Sequence, residues 1–137
     1  MKKINLVLAL SVAISLVACQ NNKPITDNHT SEQALDWNGV YKGTLPCADC
    51  SGIETVVKLN NDKTYERTEK YLGKANGYFQ EKGTFAFTDN ATKIILTDSS
   101  QTKTQYAIGE NHLILLGQDG KPSTTPMADQ YRLQKVQ

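Results

Sequence analysis

The chain has 137 residues, with 15 Lys and Arg against 14 Asp and Glu, so its formal net charge at pH 7 is +1. This near-neutral balance has none of the basic excess with which proteins bind nucleic acid, so we expect no nucleic-acid partner. A chain of this length forms one domain with a modest hydrophobic core.

The first eighteen residues have the composition of a secretory signal. Lys2 and Lys3 precede an apolar run over residues 4–16 (INLVLALSVAISL), and small residues follow it. A charged start, an apolar middle and a small-residue end are typical of exported proteins. The run is shorter than the ~20 residues that a membrane-spanning helix requires. We therefore predict a lipoprotein signal peptide over residues 1–18.

The sequence LVAC at residues 16–19 resembles the bacterial lipobox. In a lipobox the cysteine sulfur receives a diacylglyceryl group, the signal is cut before that cysteine, and the new amine is acylated. Several acyl chains give stable membrane anchoring where one gives only marginal binding. Cys19 is thus the predicted lipid attachment residue. Gln20 follows it where Asp would favour the inner membrane, so the sorting pattern favours the outer membrane.

Residues 19–36 are predicted to form a flexible, lipid-anchored tether. They are polar and have no periodic apolar pattern (CQNNKPITDNHTSEQALD), which is typical of an unstructured linker. His29 lies in this segment, where a lone histidine is expected to be solvated and not to bind a metal. The folded domain is predicted to span residues 37–137.

From Trp37 onward the chain consists of short β-type segments separated by Gly, Asn and Asp turns. The predicted strands are 40–45, 53–59, 64–72, 78–87, 93–97, 104–108, 112–116 and 130–136. Evenly spaced short strands without a helix predict an antiparallel meander that closes as a barrel or packs as a sandwich. We predict an all-β fold, a small eight-stranded antiparallel up-and-down barrel. Gly39 and Gly43 would permit the strand bend that closure requires.

An eight-stranded barrel encloses only enough space for side chains or for one small ligand. Trp37 and three phenylalanines of one parity (Phe79, Phe85 and Phe87) are predicted to fill it. The acidic residues of the strands are predicted to be solvated: Glu66, Glu69, Glu81 and Asp98. The alternative is a hollow barrel that carries a small apolar ligand.

Cys47 and Cys50 stand three residues apart in the loop GTLPCADCSG at residues 43–52. A thioredoxin-like catalyst places this motif at the N-terminus of a helix, where the thiol pKa is lowered. Here a strand follows from Ile53, and the negative charge of Asp49 disfavours a thiolate. Because the sequence also lacks a nucleophile elbow, we predict that the protein is not an enzyme.

Two interpretations of the cysteine pair stay open. The first is a disulfide between Cys47 and Cys50, because an exported chain meets oxidising conditions; closing so small a ring contributes about 2 kcal/mol. The second is a metal site, because two thiolates suit a soft ion such as Cu(I). His112 or Met127 would be candidates to complete it. A closed zinc site would need a second ligand pair, which the sequence lacks.

The stretch WNGVYKGTLPCADCSGIET at residues 37–55 resembles the opening of the N-terminal domain of the NlpE family, copper-resistance lipoproteins of the outer membrane. The similarity continues through 62–65 (DKTY), 71–73 (YLG), 83–85 (GTF), 106–109 (YAIG), Leu113, 119–121 (DGK) and 131–133 (YRL). It covers essentially all of the chain after the tether.

This resemblance implies a lipocalin-like barrel that is lipid-anchored at the cell outer membrane and faces the periplasm. It also implies a part in copper homeostasis and in signalling envelope stress to a sensor protein of the Cpx two-component system. Cys47 and Cys50 match the pair proposed for metal or redox sensing. Two-domain members carry a second, OB-like domain that the sequence up to Gln137 does not contain, so signalling that resides there is not implied.

Overall fold

The structure is a computed structural model that describes residues 35–137. Its strands are β1 (Gly39–Leu45), β2 (Ile53–Leu59), β3 (Thr64–Tyr71), β4 (Tyr78–Thr88), β5 (Lys93–Asp98), β6 (Lys103–Gly109), β7 (His112–Leu115) and β8 (Arg132–Lys135). They pair antiparallel in chain order, and β8 returns to pair with β1. The predicted eight-stranded barrel is confirmed. The signal peptide, Cys19 and His29 lie outside the described residues.

The last strand is shorter than predicted. It was expected to begin at Gln130 but begins at Arg132, because Ala128–Tyr131 form a 3₁₀ turn in which Gln130 N donates to Met127 O at 2.9 Å. Within residues 35–137, no helix has the length and apolar character that a membrane crossing would require. At the start of the domain, Leu35 and Asp36 already contact the barrel.

Because the strands alternate in direction, the connecting loops divide between two ends of the barrel. The loops that follow β1, β3, β5 and β7 lie at one end, which we call the CxxC end because residues 46–52 are part of it. The loops that follow β2, β4 and β6 lie at the opposite end. The residues before β1 and after β8 lie there too.

Tyrosines and aliphatic side chains fill the barrel interior. Tyr41, Tyr65 and Tyr106 are completely buried. The buried hydrophobic residues that pack with them are Leu45, Val57, Leu59, Phe85, Ile94, Leu96, Ile108, Leu113 and Leu133. Side chains of alternating strand positions thus meet in one continuous core.

Of the aromatic residues predicted to fill the barrel, only Phe85 is fully part of the core. Trp37 and Phe87 are partly buried and meet edge-to-face with ring centroids 5.5 Å apart. The Lys63 ammonium lies 4.2 Å from both ring centroids and covers them at the opposite end, an attractive cation–π geometry. Phe79 is 56% exposed, because β4 is eleven residues long and begins beyond the core.

Closure depends on contacts between the two ends of the domain. Val40 N donates to Gln137 O at 2.7 Å, and Val136 N donates to Val40 O at 2.7 Å. Lys135 Nζ lies 3.0 Å from the Asp36 carboxylate and donates to the Asp36 carbonyl at 2.6 Å. These bonds join the first and last strands, so the sheet has no free edge along this seam.

Gly43 permits the close approach of β8 to β1, a role other than the strand bend predicted for it. A Cβ at this position would lie 2.6 Å from the Arg132 carbonyl oxygen and 2.9 Å from a Leu133 methyl group. Gly39 has a φ of +140° and sits against the backbone of Gln137. Both glycines therefore help the barrel to close: Gly43 because it has no side chain to block β8, and Gly39 because of its backbone conformation.

Replacing Gly43 with alanine should weaken the closing seam, because the new methyl group displaces the backbone of β8. We expect Gly43→Ala to lower the free energy of unfolding by about 1–3 kcal/mol in urea titrations. Gly117→Ala is the matched control, since its Cβ meets the tip of the Asp119 side chain at 2.8 Å. Equal stability of wild type and Gly43→Ala would contradict this role.

The buried hydroxyl of Tyr41, next to the closing seam, makes the free energy of unfolding depend on pH. Burial, and then the negative charge of Asp36, raise the pKa of its hydroxyl to about 12, against about 10 for an unfolded tyrosine. Between these values the unfolded chain releases a proton that the native chain keeps, so stability falls as pH rises. The contribution of Tyr41 to the free energy of unfolding is fully present below about pH 10, and it is lost as the pH rises from there through the pKa of the folded protein.

The free energy of unfolding should therefore fall more steeply with pH above 10 in wild type than in Tyr41→Phe. The expected difference in slope is at most about 1.4 kcal/mol per pH unit. Denaturant titrations between pH 9 and 11.5 measure it. Parallel slopes in the two proteins would show that the Tyr41 hydroxyl titrates alike in the folded and unfolded chains.

Candidate functional site

The CxxC loop, residues 46–52, joins β1 to β2. Cys47 and Cys50 form a disulfide whose Cα atoms are 5.3 Å apart. Gly52 has a φ of +151°, and a Cβ there would lie 2.6 Å from the Thr44 methyl carbon, so the loop exit requires glycine. As predicted, a strand and not a helix follows, beginning at Ile53. The motif therefore lacks the helix N-terminus that thioredoxin-like catalysts use.

The loop rests against the hairpin between β3 and β4. Leu72 N donates to Gly52 O at 3.0 Å, and Lys74 Nζ lies 3.0 Å from Asp49 Oδ2. The Lys74–Asp49 pair is largely exposed, so it fixes the orientation of the loop more than it adds stability. The disulfide loop and the neighbouring hairpin are thus bonded to each other at the same end of the barrel.

The two sulfurs have different surroundings. Cys47 Sγ lies 3.6 Å from Asp49 Oδ1, and Cys50 Sγ lies 3.3 Å from the Gly52 carbonyl oxygen. A disulfide has no S–H to donate, so these contacts become hydrogen bonds only when the cysteines are reduced. The Asp49 carboxylate beside Cys47 repels a thiolate, which fits the prediction that the pair does not act as a redox catalyst.

Cys47, Asp49 and Cys50 bring three metal-ligating atoms within 4.8 Å of one another. Thiolates suit Cu(I), whereas a carboxylate suits harder ions, so the two sulfurs would carry a copper site. The prediction that His112 could complete this site is wrong. His112 begins β7 at the opposite end of the barrel, where its Nδ1 is 2.9 Å from Glu110 O. Met127 lies at the CxxC end and is 44% exposed.

A second cluster, which sequence reasoning missed, lies inside the barrel near the CxxC end. Arg67 of β3 extends across the interior, and its Nη1 donates to Thr104 Oγ1 of β6 at 3.1 Å. Its Nη2 donates to Glu81 Oε2 at 3.0 Å, while Glu81 Oε1 accepts a 2.7 Å bond from the Tyr65 hydroxyl. We call Arg67, Glu69, Glu81, Tyr65 and Tyr106 the interior polar cluster.

The prediction that Glu69 and Glu81 are solvated is wrong, because their side chains are only 21% and 27% exposed. The sequence held a usable indication in TYERTEKY at residues 64–71. Strand alternation puts Arg67 and Glu69 on the same face as Tyr65, and Tyr65 is in the core. Of the other acids predicted to be solvated, Glu66 lies at the outer surface beside Lys82. Asp98 ends β5, and its Oδ1 accepts hydrogen bonds from the turn amides of Ser100 and Thr102.

Burial and charge set the protonation of this cluster. Burial, followed by the hydrogen bond to Glu81 and the charge of that residue, raises the pKa of Tyr65. Burial alone would lower the pKa of the Arg67 guanidinium, but Tyr106, Glu69 and Glu81 outweigh it and raise that pKa. Burial likewise raises the pKa of Tyr106. Both tyrosines are therefore neutral and Arg67 is charged at neutral pH.

Two buried atoms of the cluster are left without a hydrogen-bond partner among the described residues: Arg67 Nε and the Tyr106 hydroxyl. The two groups lie close together, so the Arg67 guanidinium opposes the rise that burial causes in the pKa of the Tyr106 hydroxyl. Buried polar groups in folded proteins nearly always have a partner. These two atoms are therefore the unsatisfied point of an otherwise hydrogen-bonded cluster.

Above Arg67, a cavity of about 170 Å³ opens toward the CxxC end. It is lined by Arg67, Glu69, Phe79, Gln80 and Glu81. At its rim, the exposed Phe79 ring meets Tyr71 edge-to-face with centroids 5.5 Å apart. The barrel thus presents a disulfide loop and a charged cavity at the same end.

A family model described as the NlpE N-terminal domain matches residues 41–126. The chain is 36% identical over 126 residues to "Lipoprotein NlpE" of Escherichia coli (strain K12), covering 88% of the chain and 52% of that protein. It is 35% identical over 109 residues to the "17 kDa lipoprotein" of Treponema pallidum (strain Nichols), covering 72% and 69%. The chain therefore spans about half the length of the E. coli relative.

Solved structures agree with these matches. A lipoprotein from Shewanella oneidensis has a TM-score of 0.70 and 42% identity, over 79% of this chain and 96% of that one. The Cpx pathway activator NlpE from E. coli has a TM-score of 0.57 and 38% identity, over 64% and 46%. The lipoprotein YedD from Klebsiella pneumoniae, at 10% identity and a TM-score of 0.51, shares the fold alone.

The two tyrosines of the interior polar cluster should respond oppositely to loss of their hydroxyls. Tyr65→Phe leaves Glu81 Oε1 without its donor and should lower the free energy of unfolding by about 1.5–3 kcal/mol. Tyr106→Phe removes an unpartnered hydroxyl and should leave stability unchanged or higher. Urea titrations measure both. A loss in Tyr106→Phe as large as in Tyr65→Phe would mean that the Tyr106 hydroxyl is bonded within the protein.

Proposed function

Because the chain belongs to the NlpE family, of which it carries the N-terminal domain, we propose that it is a sensory lipoprotein of the bacterial envelope. Both curated relatives are named lipoproteins, and the LVAC sequence at residues 16–19 supplies Cys19 as the attachment residue. We place it in the outer membrane, facing the periplasm, on the basis of Gln20 and the family resemblance.

The proposed role is to report envelope stress, including copper stress, to a sensor protein of the Cpx type. One solved relative is described as a Cpx pathway activator, which supports the signalling part of this proposal. The single structural observation that carries it is the disulfide between Cys47 and Cys50 on an exposed barrel end, bound to the adjacent hairpin. We propose binding and sensing, not catalysis, as the activity of this domain.

The sensing step is an exchange with an external dithiol. That reductant transfers two electrons and two protons to the Cys47–Cys50 bond, which becomes two thiols, while the reductant itself becomes a disulfide. Reduction releases the loop from its ring closure and exposes two sulfurs beside Asp49. Only the reduced loop would hold Cu(I), because thiolates and not disulfides bind this ion.

A carrier of a small apolar ligand, the alternative to sensing, lacks support from the described barrel. Its interior is occupied by the buried tyrosines and aliphatic residues. The cavity near Arg67 measures about 170 Å³ and has three charged residues in its lining, whereas apolar ligand sites usually measure roughly 300–1,000 Å³. An apolar ligand would leave those charges unsolvated, which is costly.

The test of the proposed function combines thiol counting with copper competition on the purified mature protein. We expect no reactive thiol at residues 47 and 50 before reduction and two afterwards. The reduced protein should take one equivalent of Cu(I) from a chromogenic chelator, and Cys47→Ser should lose this ability. His112→Ala is the matched control and should bind as wild type does, because His112 lies at the opposite end.

Free thiols in protein isolated under oxidising conditions would remove the disulfide from this mechanism. Failure of the reduced protein to compete for Cu(I) would remove the metal branch and leave a purely redox signal. Equal losses in Cys47→Ser and His112→Ala would show that the copper is held elsewhere.

A further inference from the structure

The first half of β4 has a neighbouring strand on only one side. β4 pairs with β3 along residues 78–84, whereas β5 pairs only with residues 83–88. β5 ends at Asp98, opposite Gly83, where the chain turns toward β6. Residues 78–82 therefore form a free sheet edge, which we call the β4 edge. The closure of β1 against β8 does not cover it, because that seam lies elsewhere on the sheet.

The register of β4 shows which backbone groups the β4 edge leaves unpaired. Tyr71 N donates to Gly77 O at 2.8 Å, so the odd-numbered residues of this strand bond to β3. Successive residues of a strand direct their N–H and C=O groups to opposite sides. Tyr78, Gln80 and Lys82 therefore direct theirs away from β3, and within the described part of the chain nothing bonds to them. Such a row is a template for another strand.

The side chains of the β4 edge are also suited to pairing. Tyr78 is 63% exposed and its neighbour Phe79 is 56% exposed. The Phe79 ring meets Tyr71 edge-to-face with centroids 5.5 Å apart, which holds the ring beside the edge. Lys82, the one cation of the edge, lies 3.5 Å from Glu66 on the outer surface. The β4 edge thus combines free backbone groups with two exposed aromatic rings.

The turn after β5 decides which kind of strand fits. Asp98 Oδ1 accepts bonds from the amides of Ser100 and Thr102, so this turn is fixed where the β4 edge meets β5. A peptide that continued straight along β4 would run into the turn, so the occupant must begin or end there. β4 itself has this form, because it begins at Tyr78 after residues 72–77 turn back from β3. An antiparallel second copy of β4 would bring that beginning to the blocked end.

Two-fold symmetry then selects a register. A pairing centred on Gln80 would put Gly77 of the second copy opposite Gly83, where β5 already pairs. A pairing centred on Phe79 leaves that place free. It sets Tyr78 opposite Gln80 of the second copy in both halves, and each such pair exchanges both of its N–H···O bonds. The two Phe79 side chains then face each other in a non-hydrogen-bonded pair, where aromatic contacts across strands are favourable.

We propose that the β4 edge pairs with the β4 edge of a second copy of this chain, forming a two-fold dimer centred on Phe79. Pairing buries both Phe79 rings and satisfies backbone groups that otherwise face solvent. No like charges stand opposite each other, because Glu81 and Lys82 face uncharged residues of the second copy. The dimer surface contains neither Cys47 nor Cys50, so it is separate from the proposed sensing role.

The test measures self-association of the mature, oxidised protein at pH 7, with Cys19→Ser so that no acyl chain contributes. We expect sedimentation equilibrium to show a monomer–dimer equilibrium with a Kd on the order of 0.1–1 mM, because an interface of one short strand is small. In ¹⁵N spectra from about 0.05 to 2 mM, which bracket that Kd, amide shifts should centre on residues 76–82. A monomer throughout, or shifts centred elsewhere, would overturn the proposal.

Two matched pairs of variants test the backbone and the side chain separately. Gln80→Pro removes an N–H that β3 does not use and should weaken the dimer at least about tenfold, whereas Gln80→Thr keeps that N–H and should match wild type. Phe79→Ser should weaken it about tenfold. Val136→Ser should not, because Val136 is 53% exposed but lies at the opposite end. Dispersed ¹⁵N spectra identify folded variants. Equal affinities within the Gln80 pair, or equal losses in Phe79→Ser and Val136→Ser, would overturn the proposal.

Discussion

The closure of the sheet between β1 and β8 is the constraint on which the rest of the structure depends. It is made by few bonds, with Tyr41 opposite Lys135 and Lys42 opposite Gln134, and Gly43 allows the two backbones to approach. Along this seam the closed sheet has no edge to pair with other chains. Closure also fixes which residues face inward on every strand. It therefore determines which side chains form the core and which loops meet at each end of the barrel.

Closure places two chemically different features at one end of the barrel. The Cys47–Cys50 loop responds to electrons and soft metals, and it lies on the surface against the hairpin that contains Lys74. The interior polar cluster lies behind the rim, where Arg67 links β3 to β6 through a hydrogen bond to Thr104. Each feature is held by strands, or by loops between strands, that the closed sheet fixes in place.

Local patterns explain why the strands were predictable and part of the site was not. Period-two alternation bounded by Gly, Asn and Asp predicted all eight strands, seven of them to within one residue at each end, whereas the last begins two residues later than predicted, at Arg132. The Cys-x-x-Cys spacing identified the loop that carries the disulfide. The burial of Arg67 was not predicted, because a charged residue in a polar strand is usually solvated. Only the burial of Tyr65 shows which face of the strand points inward. The prediction that His112 could complete a metal site failed for a similar reason, because separation in sequence does not show at which end of the barrel a residue lies.

Amide hydrogen exchange at Val136 tests closure most directly, because its N–H is bonded to the Val40 carbonyl at 2.7 Å across the seam. If the barrel opens only by global unfolding, this amide should exchange as slowly as those in the centre of β2, with the free energy of unfolding as its protection. Exchange at Val136 that is orders of magnitude faster, while β2 stays protected, would show that the first and last strands separate on their own. The barrel would then be an open sheet, and the sites described at its end would lose their common support.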